Sequence, residues 1–220
     1  MDISSAVLNR RSCRGFKQEP VSEALLREIF SLAQQAPSGC NVQPWQVIVV
    51  SGEKKDQLKN QLMMDVMQKQ KPYPDFDWSV AYSGKHKERQ FGSADALYSA
   101  MGIERQDKMQ RNIAMMKNWA FFDAPHVAIF TMDKYLNLMG AVDIGIYAQT
   151  LSLLMMERGI SNCMQGALGQ FPGPIREMFD LPEERGVIFG MSFGYADNDV
   201  PANTARTSRE ALEEAVLFAS

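Results

Sequence analysis

Hydrophobic positions along this chain follow two periods that alternate irregularly. After Pro20-Val21-Ser22-Glu23, the residues Leu25, Leu26, Ile29, Phe30 and Ala33 fall on one stripe at helical spacing. Ser22 is placed to cap that helix, Glu23 suits its positive end, and Pro37 ends it. Residues 2–10 predict a short first helix, and Lys54–Lys69 a third, with Leu58, Leu62, Met63, Val66 and Met67 on its buried side. Between the second and third helices, Trp45–Val50 carries the β-branched valines of a strand, stopped by Ser51-Gly52. The periodicity then breaks down from Lys71 to Gly102. Lys-Pro-Tyr-Pro-Asp-Phe-Asp-Trp is turn-prone and aromatic, and Ser83-Gly84-Lys85-His86-Lys87-Glu88-Arg89 is strongly charged. A stretch this long without a clear period predicts a partly helical insertion over a pocket.

Regularity returns with a predicted helix over Glu104–Ala120 and a core strand, Pro125-His126-Val127-Ala128-Ile129-Phe130-Thr131. The long apolar run Asn137–Arg158 is closed by Gly159, a good residue just past a helix end. Leu138–Met156 is apolar enough to suggest a membrane span, but Asp143 and Gln149 sit near its middle. A charge there is costly in lipid, so a buried helix is the expectation. A helix hydrophobic on nearly every side needs cover on every side. Lying between a sheet and a second subunit provides that cover, which predicts a homodimer. Ile160–Gln165 reads as a short strand, Pro174–Phe179 as a short helix, and Val187–Tyr195 as another strand whose Gly190 and Gly194 suggest close backbone approach. The tail Val200–Ser220 is too polar at first to pack alone.

At 220 residues, 45% hydrophobic and 22% charged, the chain fits one soluble globular domain spanning 1–220, with the insertion at 71–117 as a substrate lid. A net charge of −3 gives no basic excess to drive binding to a phosphate backbone, so nucleic acid is not an expected partner. Cys13, Cys40 and Cys163 form no paired motif, and Met1-Asp2-Ile3-Ser4 lacks the pattern of a secretion signal. Both observations predict a reduced, cytoplasmic setting with inert thiols.

Two clusters carry candidate chemistry. Arg10, Arg11, Ser12 and Arg14 offer guanidinium forks and a hydroxyl within five residues, a donor set suited to phosphate. Alone, such a cluster also reads as a solvated turn before a helix. Neither a dinucleotide glycine fingerprint nor a phosphate-loop motif is present. The second cluster, Ala36-Pro37-Ser38-Gly39-Cys40-Asn41-Val42-Gln43-Pro44-Trp45, concentrates amide and hydroxyl groups that suit the edge of a polar heterocycle. The same residues also make an ordinary helix stop and turn. Asn118 is either a third such amide or an exposed helix residue.

Taken in order, these elements resemble the FMN-dependent nitroreductase family. The likeness rests on Arg10-Arg11-Ser12-x-Arg14, the segment 36–45, and Asn118 ahead of Phe-Phe-Asp-Ala-Pro; it continues through Gln165-Gly166-Ala167-Leu168 to Asn203-x-x-Arg206. The resemblance implies an α+β fold with a mostly antiparallel central sheet flanked by helices. It also implies a domain-swapped homodimer with FMN at two interface sites, NAD(P)H as reductant, and a small aromatic electron acceptor. On this reading Arg10, Ser12 and Arg206 hold the phosphate with help from Arg11, and Arg14 faces the pyrimidine edge. Pro37, Ser38 and Gly39 reach in from the other subunit, with Asn41 and Gln43 in the same loop. Asn118 bonds the polar edge of the flavin, and the backbone at Gln165-Gly166 approaches its N5. The residue that completes the clamp around Arg206 is left open, and no side chain is implied as a general acid or base. The implied reaction is ping-pong reduction of a nitroaromatic, quinone or related acceptor. Flavin fragmentation, dehalogenation and enone reduction are alternatives on the same fold, as is a flavin-binding protein without turnover.

Overall fold

The computed structural model describes residues 1–69, 71–77 and 80–219. Trp78, which ends the aromatic run at 71–78, lies outside the described residues. Four strands form one antiparallel sheet: β1 (Gln46–Ser51), β2 (His126–Asp133), β3 (Ser161–Gln165) and β4 (Arg185–Gly194), in the order β1-β2-β4-β3. Helices cover both faces. On one lie α2 (Glu23–Ala33) and α6 (Asn137–Glu157), and on the other α3 (Gly52–Lys69) and α7 (Gly173–Phe179).

The buried pattern follows from strand alternation. Along β2, Ala128, Phe130 and Met132 face the α2/α6 core, while Val127 and Ile129 face the α3/α7 core, so a central strand is apolar on both sides. Close contact between layers explains two glycines. A Cβ on Gly190 would stand 2.4 Å from the Leu168 side chain, and one on Gly194 would stand 2.7 Å from the Pro125 ring.

The helix ends behave as their residues dictate. Ser22 Oγ accepts from the Leu25 N–H at 3.4 Å, the expected cap of α2. Past α6, Gly159 adopts φ +74°, and the N–H groups of Gly159 and Ile160 close onto the carbonyls of Met156 and Met155. By length and composition α6 could cross a membrane, yet Ile144, Tyr147, Ala148, Leu151 and Met155 are buried against the sheet. Its other side leaves Leu138, Met139, Val142 and Ile146 exposed.

Two expectations need adjustment. The helix predicted over 104–120 is shorter, α5 at Lys108–Met116, because Asp107 caps it by accepting from the Gln110 N–H at 2.9 Å. Its predicted end unwinds into a turn where Phe121, Phe122 and Asp123 all have positive φ. The tail is not wholly loose: a turn at Pro201–Thr204 buries Ala202 and Asn203, and a short helix, α8, spans Leu212–Ala215. Within the insertion, 71–77 is strapped to α7 and β4. The Asp75 carboxylate accepts from Arg176 at 2.9 Å, from Lys134 at 3.3 Å and from the Val187 N–H at 2.9 Å. The charged stretch folds as α4 (Gly84–Ala100), a helix with no fully buried residue.

Candidate active site

The arginine cluster lies where the end of α1 (Ile3–Asn9) meets the free edge of β3. The chain turns extended at Arg10, and Ser12 then forms a parallel bridge with Asn162, the Cys13 N–H donating to the Asn162 carbonyl at 3.0 Å. Asn162 is fixed from behind, its Oδ1 accepting from Ser152 Oγ of α6 at 2.9 Å. The segment is fastened again at Lys17, whose N–H donates to the Tyr195 carbonyl at 2.9 Å. Backbone pairing thus sets the direction of Arg10, Arg11 and Arg14.

Asn203 joins this N-terminal loop to the C-terminal segment. Its Oδ1 accepts from the Arg14 N–H at 2.6 Å, and its Nδ2 donates to the carbonyls of Gly15 and Asp197, each at 2.8 Å. Sequence reading missed this role. The signal available was one buried-type amide three residues before Arg206, and nothing in that spacing identifies a tie to residue 14. With the tie in place, Arg10, Arg11, Ser12 and Arg14 share a cleft of about 480 Å³ with Arg206 and Arg209, roofed by Ser93 and Leu97 of α4. Five arginines line it and, among the described residues, no carboxylate does. Such a wall is chemically matched to a phosphate monoester, which takes bidentate guanidinium donors and a neutral hydroxyl.

Arg14 also borders a second, mostly apolar cavity of about 200 Å³, formed with Leu97, Tyr98, Met101, Met115, Asn118 and Phe122 among others. Asn118 is held at its edge, donating from Nδ2 to the Met115 carbonyl at 2.9 Å. Gln165 is buried behind it, donating from Nε2 to the Asn118 carbonyl at 2.8 Å and accepting from Ser192 Oγ. The Gln165 side chain is therefore a support for Asn118, and neither Gln165 nor Gly166 lines either cavity. Gly166 is exposed, with open space where a Cβ would stand.

The loop of Pro37, Ser38, Gly39, Asn41 and Gln43 is elsewhere. It packs on α6, where the Gly39 N–H donates to both oxygens of the Asp143 carboxylate at 3.2 Å, and it lines neither cavity of its own chain. Cys40, Asn41 and Gln43 all carry positive φ, an unusual density of left-handed non-glycine residues, and Ser38 Oγ accepts from the Gln43 N–H at 2.9 Å.

The two buried thiols, Cys13 and Cys163, are not ready nucleophiles. Burial pushes the Cys163 thiol up to about 11 and raises that of Cys13 as well. Burial, with Lys55 adding to it, lowers His126 to about 4, so that ring is neutral. Its Nε2 accepts from the Val21 N–H at 2.9 Å, which leaves Nδ1 protonated and donating to Ser51 Oγ. His126 joins the start of β2 to β1 and the approach to α2, outside both cavities.

The sequence and the fold both match those of known proteins. Residues 7–195 match the model of the Nitroreductase family. The chain is 35% identical over 213 residues to the nitroreductase NfnB of Mycolicibacterium smegmatis, covering 96% of this chain and 90% of that one. It is 33% identical to a 4-nitrobenzoate reductase of Pseudomonas putida, covering 95% and 92% of the two chains. The solved structure of an FMN and NADPH-dependent nitroreductase NfnB from Sphigopyxis sp. strain HMH superposes with a TM-score of 0.96 at 31% identity, over 100% of both chains. By this family match over most of its length, and by an α+β fold shared with these relatives, the chain belongs to the nitroreductase family.

Proposed function

We propose that this protein is an FMN-dependent oxidoreductase that uses NAD(P)H to reduce nitroaromatic, quinone or related acceptors by a ping-pong mechanism. The observation that carries the reading is the convergence of Arg10 and Arg206, from opposite ends of the chain, on one carboxylate-free cleft that Arg14 joins to an apolar slot. The donor set fits the cofactor. Arg10, Ser12 and Arg206 suit its phosphate with Arg11 beside them, Arg14 suits the pyrimidine edge, and Asn118 and the exposed backbone at Gly166 suit the polar rim of the ring. Bound FMN supplies hydride and electron transfer; the chain supplies binding, orientation and electrostatics. Relatives named for FMN and NADPH, and others named for nitroaromatic substrates, support this assignment.

The protein acts as a homodimer in the cytoplasm, with the Pro37–Gln43 loop of one subunit completing the site of the other. Two facts support this arrangement: the loop does not line its own cleft, and the outer side of α6 is left apolar and exposed. The insertion, with α4 over the cleft, is the substrate lid. The first test is the absorbance spectrum of the purified protein, before and after anaerobic NADPH. A flavin spectrum that bleaches supports the enzyme, and a flavin spectrum that persists points to a binding protein without turnover. A colourless preparation unchanged by added FMN overturns the proposal.

A further inference from the structure

We propose that Lys85, Arg89 and Arg209 form a second phosphate subsite that reads the 2′-phosphate of NADPH and sets a preference for it over NADH. The inference rests on the functional reading above and deepens it. It begins with charge. A phosphate monoester carries about two negative charges at neutral pH, and Arg10 with Arg206 offsets them. Arg14 stands at the boundary with the apolar slot. Arg11 and Arg209 remain, and among the described residues neither is paired with a carboxylate. Cations gathered in one cleft repel each other unless a second anion offsets the surplus.

The cleft leads to a place for that anion. Through Ser93, Arg206, Thr207 and Arg209 it continues into a second trough of about 900 Å³. Each space alone is in the range of about 300–1,000 Å³ that holds a small ligand. Arg209 borders both, and its bonds to Thr207 and Ser208 run through Nη1. Lys85, Arg89 and Ser93 follow at intervals of four residues on α4, which puts them on one side of the helix along the trough.

Acidic groups are present as well, and they sharpen the selection. Glu88 and Glu210 line the trough; Arg89 pairs with Glu210, and Lys85 with Glu214 at 2.6 Å. These pairs are solvent-exposed, so each contributes little and a doubly charged phosphate can displace the carboxylates. The 2′-hydroxyl of NADH carries no charge to repay breaking them. The ion pairs therefore act against the wrong cofactor while leaving the right one able to bind.

Binding of 2′,5′-ADP and 5′-AMP to the FMN-loaded protein, measured by titration calorimetry, tests the subsite without turnover. The wild type is expected to bind 2′,5′-ADP about tenfold more tightly. K85Q/R89Q and R209Q should each bring the two nucleotides to within about threefold, and E210Q should widen the gap by removing a competing acid. Equal affinity in the wild type, or an unchanged ratio in the variants, overturns the subsite. Bleaching of the flavin by NADPH is the separate test of the functional reading, so the two can fail independently.

Discussion

Arg14 stands where the basic cleft meets the apolar slot, with its backbone N–H fixed by Asn203. If it faces the pyrimidine edge of a flavin, it favours the form that carries more negative charge there, the reduced one. A hydrogen bond to a charged group contributes about 1.5–3 kcal/mol, and for a two-electron couple about 1.4 kcal/mol corresponds to 30 mV. Arg14→Ala should therefore lower the potential by roughly 30–65 mV while the protein still binds FMN through Arg10 and Arg206. A dye-equilibration titration showing an unchanged potential would remove Arg14 from that role. His126 makes a different prediction, on stability. Its folded pKa of about 4 lies below the ordinary value of 6.5, so below pH 6.5 the unfolded chain binds the extra proton first. The stability gained by keeping the ring neutral is complete above pH 6.5 and is lost as pH falls from there toward 4, about 3 kcal/mol in all. Urea midpoints of the wild type should fall across that window, and those of His126→Gln should fall less.

At the scale of elements, the turn after β3 holds the clearest packing constraint. A Cβ on Gly169 would stand 2.0 Å from the Ile188 carbonyl oxygen, and backbone cannot move aside as a side-chain tip can. Gly169→Ala should cost about 2 kcal/mol and lower Tm by roughly 4–8 °C in a domain of this size. Gly166→Ala, three residues earlier, meets open space, and its stability should stay within about 0.5 kcal/mol of the wild type; thermal melts of the pair check both. The sequence allowed most elements to be read because their stripes and caps are local: Ser22 ahead of Leu25, Gly159 after α6, and the valines of β1. What it did not show was set by distant partners. Nothing near Asp75 signals that Arg176, Lys134 and the Val187 N–H will fasten it. Likewise, Gln165 carries the same letter whether its amide meets a ligand or, as here, supports Asn118 and Ser192.

For the whole molecule, the informative relation is between the exposed side of α6 and the loop that crosses it. Leu138, Met139, Val142 and Ile146 expose 72%, 66%, 50% and 38% of their surface on one helix, a contiguous apolar side of the kind that marks an interface. The Pro37–Gln43 loop is tied to that helix by Asp143, with the Met139 methyl 3.8 Å from the Gly39 Cβ position. Whatever covers α6 therefore also meets the loop. If the cover is a second copy related by a two-fold axis, each loop is delivered to the other subunit and each arginine cleft receives one in return. Affinity for FMN then depends on dimerisation, although no arginine changes. Val142→Glu combined with Ile146→Glu places two charges on that side and should give a monomer that has lost most of its flavin. Arg10→Ala should lose flavin but remain a dimer. Light scattering in line with gel filtration, together with the ratio of flavin to protein absorbance, reads both properties on one sample. A monomer that keeps its full flavin content would show that one chain builds the site alone.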